Sequence, residues 1–119
     1  MRKLLLPIAL SAIAFSTPAI AGDPVHGQEL YESRCIACHS PDANRVGPKH
    51  RGVVGRVSGT VPDFNYSKAV KAAQVTWDEQ SLDQWLTNPQ AFIPGQKMNF
   101  RVNDPIDRAD LIAYLRTLK

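Results

Sequence analysis

The chain has 119 residues, 44% hydrophobic and 21% charged, with a net charge of +3 and two cysteines. That length suits one domain, the composition is not that of a disordered chain, and two cysteines make at most one bridge, so a disulfide scaffold is excluded. The first segment reads as an export signal. Arg2 and Lys3 give a positive start, Leu4 to Phe15 is largely apolar, and Ala19-Ile20-Ala21 offers a small-x-small cleavage site. The apolar run is shorter than the roughly 20 residues a bilayer span needs, so cleavage after Ala21 is expected, with no stable membrane insertion afterwards. Residues 1–21 are then the signal and 22–119 the domain. Losing Arg2 and Lys3 leaves 12 basic against 11 acidic residues, a net +1. No run of Lys and Arg supplies the basic stripe that phosphate neutralisation demands, which excludes a nucleic-acid partner.

The remainder reads as three to four helices joined by irregular loops, an all-α class. A first helix is expected over Pro24 to Arg34, capped by Asp23, with Gly27, Tyr31 and Cys35 on one face. Residues 40–65 are rich in Gly, Pro, Asn and Ser and read as loop, a strand around Val53, Val54 and Val57 being the alternative. A short helix is expected over Ser67 to Ala73 and another over Asp78 to Thr87, stopped by Asn88-Pro89. Phe92 to Phe100, which holds Pro94 and Gly95, reads as irregular. The last helix has Asp104 as its cap, Pro105 at its first position, Arg116 and Lys119 at its negative end, and an apolar face of Leu111, Leu115 and Leu118.

The chemistry lies in Cys35-Ile36-Ala37-Cys38-His39, the pentapeptide signature of c-type haem attachment. Two thiols on adjacent turns reach the two vinyl groups of one porphyrin as thioethers, and the following histidine is set against the iron. A redox-active dithiol is one alternative, but its βαβ context is absent. A zinc site is the other, but it wants four ligands, and only one Cys pair is present. For the second axial position, Met98 is the methionine left after cleavage, in a Pro-Gly loop flanked by polar Lys97 and Asn99. His50 is the runner-up, whereas His26 lies near the attachment end of the first helix. A thioether opposite histidine favours Fe(II) and closes the iron to substrates.

Taken with Gly47-Pro48, Gly55-Arg56, Tyr66-Ser67, Thr76-Trp77, Asn88-Pro89, Ile93-Pro94-Gly95, Lys97-Met98 and Arg108 to Leu115, in that order, the pentapeptide resembles the class I cytochromes c over nearly all of residues 22–119. The resemblance implies a class I fold around one haem c, bound through Cys35 and Cys38, with His39 and Met98 on the iron. It implies that the carbonyl of Pro48 accepts the other imidazole N–H of His39, fixing the ring and its basicity. It implies that Arg56, Tyr66 and Trp77 hydrogen-bond a haem propionate, core packing being the plainer role of the two aromatics. It also implies that Gly27 and Tyr31 cross the last helix near Leu111 and Tyr114. Trp85, Gln96 and Val70 depart from the usual Tyr, Thr and Asn, which puts the hydrogen bonding on the Met98 side in question.

The expected function is a soluble, monomeric, periplasmic electron carrier, not an enzyme. Its partners would be redox proteins: a membrane cytochrome complex, a dehydrogenase or a terminal oxidase. The haem shell is expected to comprise Ile36, Val46, Leu82, Trp85, Leu86, Ile93, Phe100, Leu111 and Leu115, with Lys49, Lys97 and Arg101 as a weakly basic rim. The alternatives are a haem subunit, or a haem enzyme or gas binder with a labile sixth ligand.

Overall fold

The computed structural model describes residue 9, residues 11–16 and residues 21–119. The expected leader falls largely outside these residues. Among them, no helix is long and apolar enough to cross a membrane.

Five helical segments follow one another: α1 (Pro24–Arg34), α2 (Lys68–Ala73), α3 (Glu79–Thr87), α4 (Pro89–Phe92) and α5 (Pro105–Thr117). Each starts where a side chain takes up otherwise unpaired backbone donors. Asp23 accepts from the Val25 amide and Asp104 from those of Ile106 and Asp107. Asp78 and Ser81 form a reciprocal capping box at α3. The single turn α4 goes beyond the three to four helices expected. Asn88-Pro89 does end α3, yet Asn88 also caps α4, accepting from the Ala91 amide, with Pro89 in the first position. The strand alternative is reduced to one isolated bridge between Val57 and Thr76.

The fold closes by crossing its first and last helices. Gly27 is buried against α5, where a β-carbon would lie 1.9 Å from the Asp110 carbonyl oxygen and 2.9 Å from Tyr114 Cβ. Only glycine permits backbones to approach so closely. One helical turn on, Tyr31 is 1% exposed and its ring centroid lies 5.2 Å from that of Tyr114. Asp110, buried on α5, accepts hydrogen bonds at 2.7 Å from both the Asp23 amide and His26 Nδ1–H. The crossing thus has polar as well as steric definition. Leu111, Ile112, Leu115 and Leu118 carry the core from α5 toward Leu82 and Leu86 of α3. The α3–α5 packing is tied by Arg108, which donates to Asp83 at 2.7 Å and to the Val102 carbonyl at 2.9 Å.

Candidate functional site

A cavity of about 530 Å³ lies between the α1–α5 pair and the loops, walled mostly by apolar groups. Cys35, Cys38 and His39 border it from the end of α1, Met98 borders it from the loop before α5, and Pro48, Arg56, Tyr66 and Trp77 border it from the intervening loops. It therefore gathers all eight residues singled out in the sequence.

The local folding of the pentapeptide explains how it presents itself. The amides of Cys35 and Ile36 donate to the Tyr31 carbonyl and that of His39 to Cys35, so the chain leaves α1 in a compact turn. Both thiols are free. Burial pushes the Cys35 thiol up to about 11. A redox-active dithiol needs the opposite, a lowered thiol pKa. The zinc alternative has no ligand set either: among the described residues no group of three or more His, Cys, Asp or Glu side chains gathers to hold a metal.

His39 is held from two sides. Its Nδ1–H donates to the Pro48 carbonyl oxygen at 2.9 Å, which leaves the Nε2 lone pair for a metal. Burial lowers its pKa, while the Pro48 bond raises it; the net shift is downward, toward the neutral form that a ligand must have. Gly47 lies so close that a β-carbon there would sit 2.1 Å from His39 Cε1. The imidazole of His50 stacks on that of His39, with centroids 4.0 Å apart and planes at 20°, and its Nδ1 is hydrogen-bonded to the Tyr31 hydroxyl at 2.9 Å. This corrects the runner-up assignment of His50 as sixth ligand: a ring stacked on His39 shares its side of the cavity and backs it. His26 does not border the cavity and is paired with Asp110.

Arg56 reaches the cavity wall after its guanidinium has donated to the carbonyls of Lys49 (2.8 Å) and Arg51 (2.6 Å). Burial pulls its pKa below the ordinary guanidinium value, and among the described residues no carboxylate pairs with it. A partly desolvated cation of this kind suits an anionic group on a bound ligand. Tyr66 accepts from the Val61 amide at 3.1 Å, so its own O–H remains to donate. Trp77 is buried and packs edge-on to Trp85 with centroids 5.3 Å apart. The donor set of thiols, imidazole nitrogen, thioether sulfur and an unpaired cation on an apolar cavity fits a porphyrin with its iron and carboxylates.

The expected shell is confirmed in part. Val46, Leu82, Trp85, Leu86, Phe100, Leu111 and Leu115 border the cavity, as does Val70. Ile36 and Ile93 do not. Ile36 is 44% exposed because the turn after α1 points it outward, and Ile93 is buried in the core beside α4. Of the expected rim, Lys97 borders the cavity; Lys49 and Arg101 do not, and Arg34 takes a place there instead. Sequence reasoning missed the stacking of His50 and the steric need for Gly47 against the ring. An Nδ1 partner needed for His39 was the available signal, since it brings residues 47–50 under the imidazole.

Comparison with known proteins agrees with this geometry. The family model described as Cytochrome c matches residues 24–119. The chain is 46% identical to cytochrome c of Euglena viridis, over 82% of this chain and 99% of that one. It is 43% identical to cytochrome c2 of Rhodomicrobium vannielii, over 98% of this chain and 97% of that one. In structure it is similar to cytochrome cH from Methylobacterium extorquens, with a TM-score of 0.77 and 41% identity, covering 81% of this chain and 99% of that one.

Proposed function

The chain belongs to the cytochrome c family, and from that membership we propose that it is a periplasmic single-electron shuttle with His39 and Met98 as axial ligands. It is an electron carrier with one covalently bound c-type haem. The observation that carries the finer reading is the convergence of Cys35, Cys38, His39 and Met98 on one largely apolar cavity.

The haem iron supplies a one-electron Fe(III)/Fe(II) couple when bound. Cys35 and Cys38 would hold the group through thioethers to its two vinyl groups. The Pro48 carbonyl holds the His39 Nδ1 proton, so the ring meets the metal through Nε2 in a set orientation. Met98 would offer a soft sulfur, which favours the reduced metal and would keep a substrate from it. Arg56, Tyr66 and Trp77 serve the propionates, Arg56 with a charge that no protein carboxylate uses among the described residues. Leu82, Leu86, Leu111 and Leu115 exclude water from the rest. The expected partners are redox proteins such as a membrane cytochrome complex, a dehydrogenase or a terminal oxidase. With 12 basic and 11 acidic residues after loss of the leader, association is only weakly steered by charge. The similarity to cytochrome c2 of Rhodomicrobium vannielii over 98% of this chain and 97% of that one supports an exported bacterial carrier.

The test is to purify the protein from cells with an active haem-ligation apparatus, weigh it intact, and add carbon monoxide to the reduced form at neutral pH. The reading expects a mass of residues 22–119 plus one haem, and no rapid spectral change. Rapid stoichiometric binding of carbon monoxide would overturn the closed-iron assignment and favour an enzyme or gas binder. Co-elution in one large stable complex would make the chain a committed subunit.

A further inference from the structure

Gln96 is an unusual residue to bury. It is 6% exposed, two positions before Met98, in a turn that Gly95 makes possible with φ of +91°. Its backbone N–H donates to the Ile93 carbonyl at 3.1 Å, and its side-chain Nε2–H donates to Gln90 Oε1 of α4 at 3.2 Å. Its own Oε1 is buried without a hydrogen-bond partner. Exchanging the ends of the Gln96 and Gln90 amides together only moves the deficit to the Gln96 nitrogen. A buried amide left half-satisfied costs stability, so its retention at this point asks for a local benefit.

The neighbouring backbone indicates what the benefit is. Among the described residues, no backbone or side-chain hydrogen bond involves residues 97 to 101. The segment that carries Met98 is anchored only at its ends: at Gln96, and at Val102, whose N–H donates to the Leu86 carbonyl at 2.8 Å. A second cavity of about 210 Å³ adjoins it, bordered by Asn88, Gln90, Gln96 and Arg101, with Met98, Asn99 and Phe100 bordering both this cavity and the principal one. Met98 thus lies on a strap between two spaces, with no ladder of its own.

We infer that the Gln90–Gln96 amide pair is the positioning device for Met98, tying its strap to α4 so that the sulfur stays on the cavity wall. The inference rests on the reading of Met98 as axial ligand. Gln96 acts through the strap and does not itself border the principal cavity.

The experiment uses ferric holoprotein and follows the rate at which imidazole replaces the sulfur ligand, alongside the denaturant midpoint. Four variants are compared: Gln90→Ala, Gln96→Met (which keeps the volume and removes the amide), the double variant, and Met98→Ala. Each single amide variant is expected to raise the rate about 3- to 10-fold, the worth of one neutral hydrogen bond, with the double variant no faster than the faster single. If Gln96→Met speeds binding while Gln90→Ala does not, or the two effects multiply, Gln96 acts by packing alone and the inference is overturned. Unchanged rates in both single variants overturn it equally. If Met98→Ala binds imidazole no faster than the unmodified protein, the ligand reading itself fails and the inference falls with it.

Discussion

The two walls of the cavity are built on different terms. On the His39 side everything is over-determined: α1 crosses α5 at a glycine, Asp110 bonds both the backbone and a side chain of α1, and the imidazole is pinned between Gly47, His50 and the Pro48 carbonyl. On the Met98 side, a five-residue strap without backbone hydrogen bonds is held at its ends by Gln96 and Val102. The imidazole of His39 is therefore fixed by the core, whereas Met98 rides on a loop anchored at its ends. Displacement of that loop should be a local event well below the global unfolding free energy.

The sharpest way to break this contrast is a pair of glycine substitutions. Gly27→Val places a branched side chain where even one carbon lies 1.9 Å from the Asp110 carbonyl oxygen. Denaturant titration of the holoprotein should show a loss of about 3 kcal/mol or more. Gly95→Ala, on the strap side, meets only the Ala69 methyl at 3.2 Å and a positive φ, for a cost of about 1–2 kcal/mol. Equal costs would mean the two walls are equally rigid. Next, Met98→Ala should leave the haem attached by mass, admit carbon monoxide, and lower the potential by an appreciable part of the ~0.8 V that axial ligands span. An unchanged potential would remove Met98 from the iron.

A subtler effect separates the sides by pH. Asp110 raises the His26 pKa above 6.5 through its hydrogen bond, with the charges of Asp110, Asp107 and Glu29 adding, while His26 and the Asp23 amide lower that of Asp110 below 3.8. Stability from His26 is complete below 6.5 and fades as pH climbs through the raised value; that from Asp110 is present above 3.8 and fades as pH falls through the lowered one. The melting temperature of His26→Asn should therefore trail the unmodified protein most near about pH 5 and least in mild alkali, with imidazole binding at Met98 unaffected. A gap that widens in alkali contradicts the pairing. The smallest expected effect is Asn88→Ala, which removes the cap of α4 for about 1 kcal/mol, read as a lower denaturant midpoint.

How much of this was legible in the sequence follows the same division. Caps at Asp23 and Asp104 announced α1 and α5, since each precedes a helix-compatible run, whereas Asp78 was expected inside α3 and proves to cap it. The same cap-then-proline signal stood at Asn88-Pro89, but it was read only as a stop, because four residues give periodicity nothing to act on. The pentapeptide declared its chemistry through spacing alone. By contrast, the stacking of His50, the outward turn of Ile36 and the Gln90–Gln96 contact depend on how loops return through space, and no residue count carries that information.

The crossing of α1 and α5 joins positions up to 87 apart in sequence. A growing polypeptide must bear the entropy of that long closure before its central contact can form, and cannot do so until Asp110 and Leu111 have been synthesised. Cys38 is exposed even in the folded chain, so the turn that holds both thiols keeps one of them reachable throughout that closure.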